Sequence, residues 1–578
     1  MSRPALRLVR RPAGPARLDG LPALLARVLA ARGVAEPGEV EHVLQRLPDF
    51  RALLDIDVAS ARLARAVTGD EPILVVGDFD ADGATSTALA LRGLRALGAR
   101  RVDYLVPNRF EFGYGLTPEI VEVAAQRRPA LIVTVDNGIA SLAGVARARA
   151  LGIDVIVTDH HLPGEALPEA VAIVNPNRPG DPFPGKALAG VGVLFYVLIA
   201  LRQRLREDGW FDGAARREPN LAQWLDLVAL GTVADVVPLD HGNRILVEQG
   251  LRRIRAGRAC PGILALLRAA RREPARAVAS DLGFAVGPRL NAAGRLEDMS
   301  LGIECLLTDD PGEARRLAAE LDALNQARRE IEGDMQAQAE AAVRRLQLDG
   351  EPRWGLTLYR DDWHQGVVGL VASRLRERTH RPVVAFARAD DKTLKGSGRS
   401  IPGLHLRDAL AWVDSHHPGL IERFGGHAMA AGLSLPGDHL GDFEQAFDAA
   451  VRALLDPEAL QPVLYSDGEL RPDDFRLDTA RALRDLAPWG QGFPEPLFDG
   501  WFRLLDQRVL QERHLRLQLA PRDAPDRRLA AICFNADLTA WPAPGALVQL
   551  AYHLDVNWWR DSESLQLRVA HLLAVRAG

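Results

Sequence analysis

Between about residues 70 and 240 the chain alternates short apolar runs with longer stretches of helical period. The runs are ILVV (73–76), VDYLV (102–106), LIVTV (131–135), IDVIV (153–157) and AVAIV (170–174). Unbroken apolar runs of this length, separated by helical patterns, predict a buried parallel sheet with crossover helices. From 311 to 348 the chain is rich in Ala, Glu and Arg, with no proline after the first residue. That stretch predicts one long charged helix joining two globular halves. A second α/β pattern begins near 354 and runs to about 455. From about 463 the period shortens to two, in RLLDQRVL, HLRLQL, AAICF, ALVQLAYHL and SLQLRVAHLL. These predict five strands of a small Greek-key barrel. The expected division is an N-terminal segment (1–50), a parallel-sheet domain (51–240), a helical connector (241–350), a second α/β domain (351–460) and an all-β module (461–578).

Composition refines this picture at three points. Of 578 residues, 47% are hydrophobic and 25% charged, as in soluble globular proteins. The net charge of -5 carries no global nucleic-acid signal, so any basic surface must be local. Cys260, Cys305 and Cys533 are scattered and odd in number, which excludes a disulfide framework and points to a reducing cytoplasm. The basic N-terminus lacks the apolar core of a secretory signal. The apolar stretch at 187–201 is too short for a membrane span and reads as a buried helix.

The chemistry gathers at the strand ends. ILVV leads into Asp78-Phe79-Asp80-Ala81-Asp82-Gly83, LIVTV into Asp136-Asn137-Gly138, and IDVIVT into Asp159-His160-His161. In an open parallel sheet, ligands bind beyond the carboxyl ends of the strands, so these motifs are expected to converge. Asp235, closing the apolar segment WLDLVALGTVA, is a fourth candidate. Any one of these acids could cap a helix or sit in a turn. Asp159 could instead orient a neighbouring histidine. Four such sites together, with oxygen donors and no thiolate, suit Mn²⁺ or Mg²⁺ and a two-metal phosphoryl hydrolase. Bound cations would relieve the mutual repulsion of the three acids in DFDADG.

GDFDADG, DNG, DHH and the later GGHAMAAG resemble the DHH phosphoesterase superfamily. The resemblance extends through VPNRFEFGYGL (106–116), LAGVGV (188–193), ALGTVADVVPL (229–239), PRLNAAGR (288–295), WHQGVVG (363–369), KGSGRS (395–400) and FGGHAMAAGLS (424–434). Within the superfamily the chain is similar to the bacterial single-strand-specific 5′→3′ DNA exonucleases. The resemblance implies a DHH-type parallel-sheet domain and a second α/β domain flanking a cleft, joined by the long helix, with an OB-like barrel gripping the strand. It implies one or two Mn²⁺ or Mg²⁺ ions on Asp80, Asp82, Asp136, His160 and Asp235. Asp78 would be a ligand or a residue supporting one, Asp136 the shared ligand, and His161 a contact to the scissile phosphate or leaving group. It further implies release of 5′-mononucleotides, a role in DNA repair and recombination, and a monomeric chain free of membranes. The partners expected are single-stranded DNA, a single-strand-binding protein and a helicase. Shorter members of the superfamily that act on nanoRNA, cyclic dinucleotides or pyrophosphate lack the β module. A non-catalytic scaffold would have lost metal ligands, and none is lost here.

The substrate side has weaker motifs. KGSGRS combines small residues with cations, and GGH sets a titratable ring beside two glycines. Either is an ordinary turn or a phosphate-binding loop. The resemblance assigns Ser397, Arg399 and His427 to a 5′-terminal phosphate. Arg109, Tyr114, Arg289 and Arg295 are further nucleic-acid candidates, since arginine beside exposed aromatics suits single strands. One departure from the family pattern is Phe493 in GQGFPEP, where asparagine is usual.

Overall fold

The computed structural model describes residues 6–107, 115–213, 216–348, 353–560 and 562–576. The described residues divide into two compact units: Pro12–Asn325 with Glu469–Leu572 and Arg576, and Gln326–Gly468 with Leu6–Arg11 and Leu573–Val575.

In the larger unit, five parallel strands stand in the order Val102–Leu105, Ile73–Val76, Leu131–Val135, Asp154–Thr158, Ala172–Val174. Side chains alternate across the sheet. Ile73 and Val75 enter one core with the helices Ala81–Leu97, Gly190–Glu207 and Leu225–Ala234. Leu74 and Val76 enter another with Pro118–Ala125 and Leu142–Ala150. With both faces covered, the strands read as continuous apolar runs. The order reverses beside Ile73–Val76, whose successor lies on one side and Leu131–Val135 on the other. That switch point is where DFDADG and DNG emerge. The apolar stretch at 187–201 lies in Gly190–Glu207, largely buried. Among the described residues no helix is long and apolar enough to cross a membrane.

The same unit carries a closed five-stranded barrel in the order Phe498–Leu510, His514–Pro521, Leu529–Cys533, Ser562–Arg576, Leu547–Trp559. Leu515, Leu517 and Leu519 point inward at period two, with Phe498, Phe502 and Tyr552. Leu25 and Val28 of the helix Ala23–Ala30 complete this core from the other end of the chain. The predicted barrel is observed, and its core is not made by its own strands alone.

Phe493 has a clear structural role. It is fully buried, stacks on Trp489 with ring centroids 5.2 Å apart, and lies 4.2 Å below the Arg244 guanidinium. The neighbouring Gln491 carbonyl accepts from the amide of Leu239, four residues after Asp235. The ring thus fastens the approach to the barrel onto the segment that follows Asp235. Phe493→Ala should cost about 3 kcal/mol through the cavity it leaves. Chemical denaturation of the variant checks this.

The smaller unit is a mixed five-stranded sheet ordered Arg423–Gly426, Ala430–Pro436, Thr393–Arg399, Val383–Arg388, Leu356–Tyr359. Only the last two strands run parallel to each other. Val368–Thr379 covers one face, and Leu406–His416 with Leu440–Leu454 the other. The predicted helix is continuous from Pro311 to Leu348, roughly 57 Å at 1.5 Å per residue. These elements match the expected class: a parallel-sheet domain, a second α/β domain, a long helix and an OB-like barrel.

Candidate metal centre

Each acidic motif leaves its strand at the same sheet edge, and the convergence expected from sequence is observed. Donor atoms of Asp78, Asp80 and Asp136 lie within 4.8 Å of one another, as do those of Asp82, His160 and Asp235, and those of Asp136, His160 and His161. His160 Nε2 is 3.1 Å from Asp136 Oδ1 and 3.4 Å from Asp235 Oδ2. Three groups, linked because Asp136 and His160 each belong to two of them, form a donor set of carboxylate oxygens and imidazole nitrogens. That set fits hard divalent cations such as Mn²⁺ and Mg²⁺ and not a thiolate zinc site.

The local folding explains how the acids are held. Asp80 caps the helix Ala81–Leu97, its carboxylate accepting from the Gly83 amide at 2.9 Å. The capping role and the candidate ligand role fall on the same residue. Asp82, fully buried, accepts from the Gly190 and Val191 amides at 2.6 and 3.0 Å. These are the first amides of Gly190–Glu207, so a helix N-terminus faces the carboxylate. Asp136 adopts a left-handed backbone, φ 62°, which Asp tolerates better than most residues. A Cβ on Gly190 would lie 2.6 Å from the Asp136 Cβ, so only glycine permits this approach. Asp235 ends the helix Leu225–Ala234, and Val236 beyond it has φ 63°, a strained conformation for a β-branched residue.

Burial and mutual repulsion set the protonation. Burial, then the charge of Asp80, pushes the Asp82 carboxyl up to about 7 against the helix amides that pull it down. Burial and the neighbouring carboxylates push Asp136 and Asp235 well upward. Burial would lower the His161 imidazole, but the hydrogen bond and charge of Asp159, with Asp235 and Asp78 nearby, hold it at about 9. Asp159 Oδ1 lies 2.7 Å from His161 Nδ1 and also accepts from the His160 and His161 amides. Asp159 Oδ2 accepts from Ile139. Of the two readings left open by sequence, Asp159 orients the histidine.

Several supporting residues carry no signal of their own in the sequence. Asn291 Oδ1 accepts from the Ala81 amide at 2.7 Å and holds DFDADG from 210 residues away. Asn137 donates to the Val76 and Val135 carbonyls, tying together the ends of two central strands. Asn175 and Asn177 donate to the carbonyls of His161 and His160. PRLNAAGR and NPN contain these residues, but an asparagine that braces a loop has no spacing rule to reveal it.

Of the nucleic-acid candidates, Arg109 and Tyr114 lie outside the described residues. Arg289 is only 7% exposed; its guanidinium is 2.7 Å from Asp322 and donates to the Ala285 carbonyl. Both bonds hold the guanidinium against the fold. Arg295 is half-buried near the end of Gly287–Leu296. In the smaller unit, Ser397 and Arg399 alternate with the buried Gly396, Gly398 and Ser400, so they share one sheet face. Arg399 donates to Ser397 Oγ at 3.0 Å. A Cβ on Gly369, at the start of Val368–Thr379, would lie 2.9 Å from both side chains, so a helix N-terminus meets them. His427 is exposed in the turn between the Arg423–Gly426 and Ala430–Pro436 strands, its amide donating to Ala430.

Comparison with known proteins identifies the family. Family models match for the DHH family, N-terminal domain, at residues 72–232, the DHHA1 domain at 354–453 and the RecJ OB domain at 466–571. The single-stranded-DNA-specific exonuclease RecJ of Dickeya dadantii is 57% identical over 98% of both chains. That of Escherichia coli is 56% identical over 96% of both. The crystal structure of Thermus thermophilus RecJ in complex with Mn²⁺ matches with a TM-score of 0.80 at 31% identity, covering 99% of this chain and 80% of that one. A Mg²⁺ complex of RecJ from the same organism matches with a TM-score of 0.74 at 29% identity, covering 99% of this chain and 78% of that one. With its three domains matched in order and its sequence shared from end to end, this chain belongs to the RecJ family of single-stranded-DNA-specific exonucleases.

Proposed function

We propose that the chain degrades single-stranded DNA from the 5′ end, releasing 5′-mononucleotides at a pair of Mn²⁺ or Mg²⁺ ions held by Asp78, Asp80, Asp82, Asp136, His160 and Asp235. The observation that carries this reading is the convergence of donors from separate strand ends into three groups linked through Asp136 and His160, each of which belongs to two of them. Such ions, when bound, acidify a water and offset the charge of the phosphate. Asp136 would be the ligand shared between them. Asp159 holds His161 by Nδ1, which leaves the Nε2 proton free to pass to the departing 3′-oxygen as the P–O3′ bond breaks. Water supplies the new P–O bond, and the strand keeps a fresh 5′-phosphate.

Ser397, Arg399 and His427 are assigned to the 5′-terminal phosphate. A guanidinium, a hydroxyl and a helix N-terminus together suit that group. Arg289 and Arg295, with Arg109 and Tyr114, are assigned to the strand itself. DNA repair and recombination, with a single-strand-binding protein and a helicase supplying the strand, is the setting proposed for this activity.

The test is a digest of single-stranded DNA carrying different labels at its two ends, with a 5′-phosphate or a 5′-hydroxyl, in Mn²⁺, Mg²⁺ or EDTA. Immediate release of the 5′ label as a mononucleotide, only with metal and faster from the 5′-phosphate, is the expected result. Release of the 3′ label first would overturn the polarity, and cleavage in EDTA the metal.

A further inference from the structure

We infer that the helical segment 251–286 of the larger unit carries a second nucleic-acid surface, an arginine track that begins at Phe284 beside the metal centre and holds the phosphates of the strand beyond the cleaved end. The inference rests on the exonuclease reading above.

Residues 251–278 hold eight arginines and one acid, Glu273, in a chain whose net charge is -5. Arg252 and Arg255 share Glu248, and Arg272 pairs with Asp281. Among the described residues, Arg258, Arg268, Arg271 and Arg276 form no ion pair. Arg258, Arg268 and Arg271 are exposed. Arg276 lies 3.7 Å over the ring of Trp558, so the track reaches the barrel. Arg255 donates to the Ala277 carbonyl, which draws the end of His241–Arg255 to the same place.

Phe284 is 80% exposed in the π-helical turn Leu282–Val286. A π turn is rare and frequently marks a functional site. This one packs against Leu225–Ala234, which ends at Asp235, and against Pro261–Ala269, which carries Arg268. One turn therefore joins the metal-binding helix to the arginine-bearing helix and presents an aromatic face between them. An exposed ring followed by unpaired cations is the usual platform for a single strand, with bases stacking and phosphates taking the charge. The helix His241–Arg255 places its last turn roughly 22 Å from its start near Asp235. The track therefore serves strands too long to be held by the metal centre alone.

The experiment measures affinity for strands of about four and about thirty nucleotides as a function of salt, with Ca²⁺ in place of Mn²⁺ to prevent turnover. The variants are Arg258→Gln/Arg268→Gln/Arg271→Gln and, separately, Phe284→Ala, each checked by thermal melting. For the triple variant the salt slope on the long strand should fall by about 2, at about 0.7 for each lost phosphate contact. The ratio of long-strand to short-strand affinity should fall about tenfold with it. Phe284→Ala should weaken the long strand about fivefold with an unchanged salt slope, as stacking carries no counterion release. An unchanged slope and affinity ratio in the triple variant would overturn the inference. The unmodified protein is assayed for Mn²⁺-dependent release of the 5′ label alongside; its failure there would defeat the exonuclease reading instead.

Discussion

Asp136→Asn should reduce hydrolysis of single-stranded DNA by on the order of 10³-fold while leaving binding of the strand intact. Asp136 belongs to two of the three donor groups and lies at hydrogen-bond distance from His160. Its amide counterpart has the same shape but no charge to share between two cations. Asparagine also tolerates the left-handed backbone, φ 62°, that this position requires. The substitution is therefore expected to preserve the fold, and a loss of activity reports on the site. Rates on an end-labelled strand, with affinity measured in EDTA, check both halves of the expectation. Near-normal turnover would remove Asp136 from the metal assignment.

Thermal melting should reveal the same centre without any substrate. Burial and the charge of Asp80 raise the folded-state pKa of Asp82 from 3.8 to about 7. The folded chain then binds this proton more tightly than the unfolded chain does. Its stabilising effect is complete below about pH 4 and is lost as the pH rises through about 7. The change is on the order of 4 kcal/mol at 1.36 kcal/mol per unit. Asp136 and Asp235 shift in the same direction. Divalent cations replace the protons, so stabilisation by Mn²⁺ over EDTA should be small near pH 5 and large near pH 8. At a hundredfold excess over Kd the gain is about 2.7 kcal/mol per ion. Asp136→Asn should melt higher than the parent in EDTA and gain less from Mn²⁺. Coincident melts in Mn²⁺ and EDTA at pH 8 would exclude a metal centre here.

The parts of the site that are legible in the sequence are those attached to strand ends. DFDADG, DNG and DHH follow apolar runs directly, and a parallel sheet brings the ends of its strands together by construction. Asp235 is legible because an acid terminates an otherwise apolar helix. Asp159 is ambiguous, since sequence places it beside two histidines but does not say which atom its carboxylate meets. Asn291 is not legible: its bond to Ala81 spans 210 residues, and no local rule connects the two. The direction of Arg289 is likewise set by tertiary packing, which turns it toward Asp322 on the long helix.

Local pattern was enough for the strands, the long helix, the barrel strands and the kind of chemistry at the switch point. These follow from hydrophobic period and from the geometry common to all parallel sheets, which are properties of neighbouring residues. Long-range packing alone sets Leu25 and Val28 into the barrel core, Phe493 between Trp489 and Arg244, and Phe284 on a π turn packed against the helix that ends at Asp235 and the helix that carries Arg268. Such contacts join segments far apart in the chain. The fit of side chains in a close-packed interior selects them, and no local period records it.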